Sequence, residues 1–253
     1  MRLIRPAQPR HATRNAVILP ILMLIVGCVA LVLMALLPPE RVVPIALLGV
    51  SAALGLGIGS TATVRAFSAG RRRSEQAGED LARVLAPAFD DSYVLILAPR
   101  LPAVPNDLAA LLVGPPGVRA ILARRWHGRY RVRGRGWEYD TRSPAGWIPC
   151  VTNPSFEGDT VTAAVARWAQ GALGETALPV APAIAFPRTY STIILEEPEG
   201  EIVTTDNAPW WAQRIGKVQR MDPLRVARFV EAVMEASESP SDERRAAASP
   251  HAA

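Results

Sequence analysis

A dense group of arginines lies in the middle of this 253-residue chain. Residues 119–142 include eight arginines, and the only acidic residues among them are Glu138 and Asp140. Four of the arginines alternate along the chain and are called here the arginine row: Arg129, Arg131, Arg133 and Arg135. Because side chains alternate between the two faces of a strand, the sequence predicts that the arginine row projects from one face.

The arginine row is compatible with several kinds of surface. Arginines interleaved with aromatic residues bind phosphate backbones and stack on bases. They also bind anionic lipid headgroups, and a charged row protects a solvated edge strand from further pairing. The interleaved aromatic residues are Trp126, Tyr130, Trp137 and Tyr139. We predict that the arginine row binds nucleic acid together with Arg124 and Arg125. Lipid binding, a solvated edge strand and contact with an unknown protein partner remain open.

The elements around these residues predict an α/β domain with a mixed sheet flanked by helices. Apolar periodicity and turn residues distinguish the helical segments from the strands. Strands are predicted at residues 93–99, 108–113, 118–126, 129–134, 181–186 and 192–197, with Gly128 in the turn between the third and the fourth. Helices are predicted at residues 74–89, 156–173, 209–218 and 222–236, and Asp222 is the predicted N-cap of the last.

Several motifs occur in a characteristic order along this domain. Gly78 and Glu79 open the first helix, Asp107 precedes the segments VGPPGV and AILARRWHG, and Asn153-Pro154 opens a later helix. From about residue 78 to residue 186 this pattern resembles the nuclease-related domain (NERD), a branch of the restriction-endonuclease-like fold. The resemblance implies a nuclease in which carboxylates hold Mg²⁺, and the metal activates water and stabilises charge on the scissile phosphate.

The chain departs from this family pattern at the positions that carry catalysis. Glu79 and Asp107 match carboxylates of the pattern, but Leu122 stands at the position of the strand glutamate. Arg124 replaces the lysine, and Glu157 replaces a glutamine. Leucine cannot ligate a metal, and arginine stays protonated. We expect no catalytic residue and no cofactor, with Glu79, Asp107 and Arg124 as vestiges; Mg²⁺ at the two carboxylates would accompany only residual nuclease activity.

Two long apolar segments precede the domain. No charged residue lies between Arg14 and Glu40 or between Arg41 and Arg65. Each segment is long enough for the roughly 20 residues that cross a bilayer core. Arginines flank both outer ends, so the positive-inside rule predicts an inner (plasma) membrane protein with both termini and the domain in the cytoplasm. The predicted organisation is a basic N-terminus at 1–14, transmembrane helices at 15–38 and 42–64, a basic juxtamembrane linker at 65–73, the NERD-like domain at 74–236 and a disordered tail at 237–253.

The composition excludes several classes of site. The net charge is +5, but basic and acidic residues nearly cancel from residue 71 onward, so the soluble domain is not strongly basic. Cys28 lies in an apolar segment and Cys150 in the domain, which excludes a disulfide framework and a cysteine metal cluster. The sequence contains no nucleotide-binding loop, nucleophile triad or zinc site, and His127 has no second ligand nearby.

Three functions are compatible with these observations. The preferred one is a catalytically inactive pseudo-nuclease that binds nucleic acid at the membrane; it predicts one patch of Arg124 and the arginine row with Asp107 near its floor. The second is a membrane-tethered protein-interaction scaffold, which predicts apolar side chains and no cleft around Leu122. The third is an active metal-dependent nuclease with migrated catalytic residues, for which Glu138 and Asp140 are the nearest candidates.

Overall fold

The computed structural model describes residues 1–6, 76–144, 146–174, 178–188 and 190–238. The predicted transmembrane helices, the basic linker and all but the first two residues of the predicted tail lie outside these ranges. Among the described residues, no helix combines the length and the apolar character that a membrane span requires. The segment 1–6 and the residues from 76 onward belong to one structural unit.

A six-stranded mixed sheet forms the centre of this unit. Its strands are β1 (Arg2–Ile4), β2 (Val94–Leu97), β3 (Ala110–Gly114), β4 (Gly117–Ala123), β8 (Val180–Phe186) and β10 (Glu201–Thr204). The order across the sheet is β1-β2-β3-β4-β8-β10. The pairs β2–β3 and β3–β4 are antiparallel, and the remaining neighbours are parallel. The continuous apolar runs of β2 and β3 match a sheet covered on both faces.

Helices cover both faces of this sheet. They are α1 (residues 76–85), α2 (Pro154–Leu173), α3 (Ala208–Gly216) and α4 (Pro223–Glu238). A 3₁₀ turn (Ala86–Ala88) extends α1. One apolar layer joins α1 and α3 to the sheet, and the other joins α2 and α4 to the opposite face. The prediction of an α/β domain with helices flanking a mixed sheet is confirmed.

The helix ends follow local side-chain chemistry. The side chain of Asn153 accepts a hydrogen bond of 3.0 Å from the Ser155 amide at the start of α2. Asp222 accepts one of 2.9 Å from the Arg225 amide at the start of α4, and each helix has proline at its first position. The end of α4 corrects a predicted boundary, because Ser237 belongs to the helix, is buried, and accepts a hydrogen bond from the Arg100 amide rather than opening a disordered tail.

A second sheet packs beside the first. It contains β5 (Gly128–Gly134), β6 (Gly136–Asp140), β7 (Trp147–Pro149) and β9 (Ser191–Pro198), in the order β7-β6-β5-β9. Val132 and Trp137 of this sheet pack against Phe186 and Ile184 of β8. The predicted strand at 118–126 therefore ends at Ala123, and β4 and β5 are not hairpin partners joined by a turn at Gly128, because they belong to different sheets.

Strand β1 corrects the assignment of residues 1–14 to a separate basic N-terminus. Arg2 lies opposite Val94 and its amide donates a hydrogen bond of 2.9 Å to the Tyr93 carbonyl. Beyond the strand, Arg5 lies 3.3 Å from the Glu79 carboxylate of α1. The first residues of the chain are therefore part of the domain that the sequence places after residue 73.

Candidate functional site

The side chain of Leu122 is fully buried in the predicted catalytic region. It projects from β4 into the apolar layer that the sheet forms with α2 and α4. Val161 and Val165 of α2 and Phe229 of α4 belong to the same layer. The position at which the resembled family carries its strand carboxylate is thus part of a packed interior with no metal-ligating atom.

Arg124 follows β4 and is fixed by neighbouring elements. Its amide donates a hydrogen bond of 2.8 Å to the Ala185 carbonyl, and its guanidinium is ion-paired with Glu157 of α2. Arg124 and Glu157 stand at two positions where the chain departs from the family pattern. The two replacements therefore contact each other, and each charge is balanced by the other rather than offered to a ligand.

The two matched carboxylates do not converge on Leu122. Glu79 belongs to α1, which covers one face of the sheet, whereas the Leu122 side chain points to the opposite face. Asp107 lies exposed in the turn before β3, and extending the β3–β4 register from Ala110↔Ile121 places it opposite Arg124. Within the described ranges, no group of three or more His, Cys, Asp or Glu residues is arranged to hold a metal ion.

Two surface grooves of the described domain lie elsewhere. One of about 390 Å³ is lined by Tyr93 and residues of α3, and one of about 480 Å³ is lined by Val94, Met221 and residues of α4. None of the predicted site residues lines either groove. The geometry around Leu122 is therefore that of a packed interior, as the scaffold hypothesis predicts.

The arginine row is a set of ion pairs on the outer face of the second sheet. Arg131 lies directly opposite Glu138 on β6, with Nε 2.8 Å from the carboxylate, and Arg133 lies opposite Glu196 on β9, with Nε at 3.0 Å. The four pairs are Arg129–Asp140, Arg131–Glu138, Arg133–Glu196 and Arg135–Asp159. The row therefore carries as many acidic partners as arginines.

The edge-strand interpretation of the arginine row is wrong. Strand β5 lies between β6 and β9, so it is an inner strand of its sheet. The prediction that all four alternate arginines lie on one strand is also wrong for Arg135, because β5 ends at Gly134. Arg135 instead stacks on the ring of Phe156 and pairs with Asp159, both on α2.

Most of the interleaved aromatic residues face away from the arginines. Trp126 packs in edge-to-face contacts against Trp137 and Phe186, and its ring lies 4.7 Å from that of Tyr130. These rings belong to the interior between the sheets. The aromatic residue that accompanies the arginines is Trp147 of β7, whose ring lies 4.8 Å from the Arg131 guanidinium carbon. Of the predicted rings, Trp126, Tyr130 and Trp137 therefore do not share the surface of the arginine row, whereas Trp147, which the prediction did not name, does.

A second arginine-rich group, which the sequence does not indicate, surrounds Asp80 of α1. This Asp80 cluster consists of Asp80, Arg83, Arg125 and Arg188. Nη2 of Arg125 lies 2.8 Å and Nε of Arg188 lies 2.5 Å from the same Asp80 oxygen, while Nη1 of Arg83 lies 3.6 Å from the other. Asp80 is only 5% exposed. Burial alone would raise the pKa of this carboxyl, but the hydrogen bonds from Arg188 and Arg125 outweigh it and lower the pKa.

Different signals were available for the two groups. Counting outward from the turn between β5 and β6 places Arg131 opposite Glu138, so the acidic partners of the hairpin were readable from the sequence. The Asp80 cluster joins the first helix to the ends of β4 and β8, and its members lie up to 108 positions apart. No local pattern links such residues.

Comparison of the chain with protein-family models, with curated proteins and with solved structures gives no significant match. Geometry and chemistry are therefore the basis for assigning a function to the domain.

Proposed function

We propose that this chain is a membrane-tethered, non-catalytic interaction module with the core of a restriction-endonuclease-like domain. The burial of Leu122 is the observation that carries this proposal. A metal-dependent nuclease needs carboxylates at an open sheet end, whereas here an apolar side chain fills the position and the neighbouring Arg124 is neutralised by Glu157. The NERD resemblance contributes only the fold to this proposal, and no activity.

The outer face of the second sheet is the proposed contact surface. It combines Arg129 and Arg131, both stacked on Trp147, with acidic partners for each arginine. Arginine and tryptophan are enriched at the centres of protein interfaces, and ion pairs held in place before binding favour selection among partners. A balanced face of this kind favours a protein partner of mixed charge over a uniformly anionic polymer.

The tether is proposed from the two apolar segments that precede the domain. The pairing of β1 with β2 supports a hairpin, because residues on both sides of these segments share one sheet and must lie on the same side of any membrane. A chain that starts and ends on the same side of a membrane crosses that membrane an even number of times, which is compatible with two spans. Together with the arginine flanks, this supports the proposal that the domain lies at the cytoplasmic face of the inner membrane.

Cleavage and nucleic-acid binding test the non-catalytic part of the proposal. We would incubate the full chain in detergent with labelled single- and double-stranded DNA and RNA, with Mg²⁺ or Mn²⁺, and follow cleavage on gels and binding by anisotropy. We expect no cleavage and no binding that persists at near-physiological salt. Metal-dependent cleavage would overturn the proposal.

Site-specific cross-linking tests the proposed contact surface. A photoreactive residue is placed at Thr192 or at Gln213. Thr192 is exposed on β9, on the sheet face that carries the arginine row, whereas Gln213 is exposed on α3, which packs on the first sheet. In cells we expect a discrete cross-linked protein from position 192 and none from position 213. Equal labelling from both positions, or none from position 192, would contradict a dedicated surface.

The pseudo-nuclease remains the second candidate because two members of the arginine row are well exposed. The side chains of Arg129 and Arg133 are 50% and 69% exposed, and surface ion pairs of this kind are weak because water and salt screen them. A phosphate backbone can compete for such arginines. Salt-resistant binding that is lost on replacing Arg131 and Arg133 by alanine would favour this candidate over the scaffold.

A further inference from the structure

The Asp80 cluster carries more positive charge than its carboxylate balances. Three guanidiniums share the single carboxylate of Asp80, which leaves a formal charge of +2 on four side chains. The neighbouring acid on the helix, Glu79, is paired with Arg5 and turns outward. Arg83 is mostly exposed and Arg188 and Arg125 are partly exposed, so the excess charge is accessible to counter-ions or to an anionic ligand.

The hydrogen-bonding capacity of the cluster is also only partly used. Arg125 donates to Asp80 and to the Gln76 side chain, at 2.8 and 3.0 Å, but its Nε is buried and has no hydrogen-bond partner among the described residues. Arg188 donates through Nε to Asp80 and through Nη1 to the Tyr190 hydroxyl, at 3.2 Å. Because each guanidinium has five N–H donors, both arginines retain donors for another acceptor.

Asp80 sets the position of these arginines. A buried carboxylate that accepts hydrogen bonds from two guanidiniums holds their planes in place before any ligand arrives, which lowers the entropy cost of binding. The Arg188 side chain is 36% exposed and Arg83 is 80% exposed, so the cluster opens to solvent on that side. Arg125 lies deeper, at 25% exposed, and its Nε is buried.

An aromatic pair borders the cluster. The rings of His127 and Tyr190 are stacked, with centroids 5.2 Å apart and planes 8° apart, and the Arg188 guanidinium carbon lies 5.6 Å from the Tyr190 ring. The Gly128 amide fixes the Tyr190 backbone through a hydrogen bond of 3.2 Å to its carbonyl. The stacked imidazole and phenol rings thus border the cluster on one side and carry further polar atoms.

We propose that the Asp80 cluster binds the phosphate group of a small phosphorylated ligand. A phosphate monoester carries close to two negative charges near neutral pH and three acceptor oxygens, which match the charge excess and the spare donors of Arg125 and Arg188. A carboxylate carries only one negative charge and leaves half of the excess unbalanced. Arginine is the residue type suited to such recognition, because its planar fork donates two parallel hydrogen bonds to an oxyanion.

Calorimetric titration of the full chain in detergent with inorganic phosphate tests this site. We expect saturable binding at low salt that Arg188→Gln weakens by at least about tenfold, since it removes charge-assisted donors. Arg167→Gln is the matched control, because it removes the same charge from an exposed position on α2 outside both arginine groups; we expect a change of less than about twofold. Thermal unfolding without ligand checks that both variants are folded.

Three further titrations identify the chemistry and the source of the phosphate. Acetate at matched ionic strength should not compete with inorganic phosphate. Glycerol 3-phosphate represents a lipid headgroup and a nucleoside monophosphate represents a nucleotide; the one that binds more tightly identifies the source. Absence of phosphate binding, equal weakening by both arginine variants, or equal competition by acetate would each overturn the site. Since these measurements involve neither cleavage nor cross-linking, their failure is separate from failure of the proposed interaction surface.

Discussion

The arginine row and the Asp80 cluster are both rich in arginine, yet they differ in how the charge is balanced. Each arginine of the row has its own acidic partner, on a neighbouring strand or on α2, and the ion pairs lie at the surface. In the Asp80 cluster three arginines share one buried carboxylate. The more conspicuous group in the sequence is thus balanced, and the less conspicuous one keeps a charge excess. The density of basic residues along a chain does not by itself indicate where an anion binds.

The Asp80 carboxylate is more buried than the carboxylates of the arginine row, and this difference predicts the largest contrast in stability between variants. Asp80→Asn removes the charge that three arginines share, and we expect it to lower the free energy of unfolding by about 2–3 kcal/mol. Glu138→Gln is the matched change in the arginine row and should cost less than about 1 kcal/mol, because this carboxylate is a third exposed and pairs with one arginine rather than three. Denaturant unfolding of both variants measures the contrast. Equal losses would show that the two groups have the same energetic role.

Lowering the pH tests the same comparison of the two arginine groups, because the pKa of Asp80 is lowered in the folded protein. The folded state favours the ionised carboxylate more than the unfolded state does. The ionised carboxylate therefore stabilises the fold fully above the pKa of the unfolded chain, about 3.9. This stabilisation is lost as pH falls through the lower pKa of the folded protein. We expect stability to decline below about pH 4, by at most about 1.4 kcal/mol per pH unit for one proton.

Unfolding of Asp80→Asn over the same pH range is the control for this prediction. The difference in stability between the wild type and this variant should shrink as pH falls, since both then carry a neutral side chain at position 80. A difference that stays constant down to the acid end would rule out Asp80 as the titrating group.

The smallest expected effect concerns a single pair of the arginine row. A double-mutant cycle of Arg131→Gln and Glu138→Gln should give a coupling energy of about 0.5–1 kcal/mol, the range of opposite-charge pairs directly across two strands. The coupling should fall as salt is raised, because these side chains are partly exposed. A coupling that is large and insensitive to salt would make this pair resemble the Asp80 cluster.

Local patterns were enough to predict the elements of the central layers. The apolar runs of β2, β3, β4 and β8 and the capping residues Asn153 and Asp222 are readable without knowledge of their neighbours. The short strands β6, β7 and β10 were missed. They contain three to five residues, and pairing with neighbouring strands, rather than their own periodicity, determines that they are strands; β6 and β7 pair within the second sheet, and β10 pairs with β8 in the first.

The candidate site was harder to predict than the fold. The sequence alone shows that a leucine stands where the resembled family pattern has a strand glutamate, and the structure buries this Leu122 side chain in the sheet. The contact of Arg124 with Glu157 and the meeting of Asp80 with Arg188 depend on how β4, β8 and the helices pack. Such contacts join residues that are distant in the chain, so composition and spacing do not indicate them.

The position of β1 has a practical consequence for work on the isolated domain. A fragment that begins at residue 73 lacks Arg2–Ile4 and leaves β2 as an edge, with the apolar sequence VLIL and unpaired amides and carbonyls facing solvent. Exposed edges of this kind pair readily with other chains. Such a fragment should therefore aggregate, and adding the peptide MRLIRP, or joining it ahead of the fragment through a flexible linker, should restore a monodisperse protein.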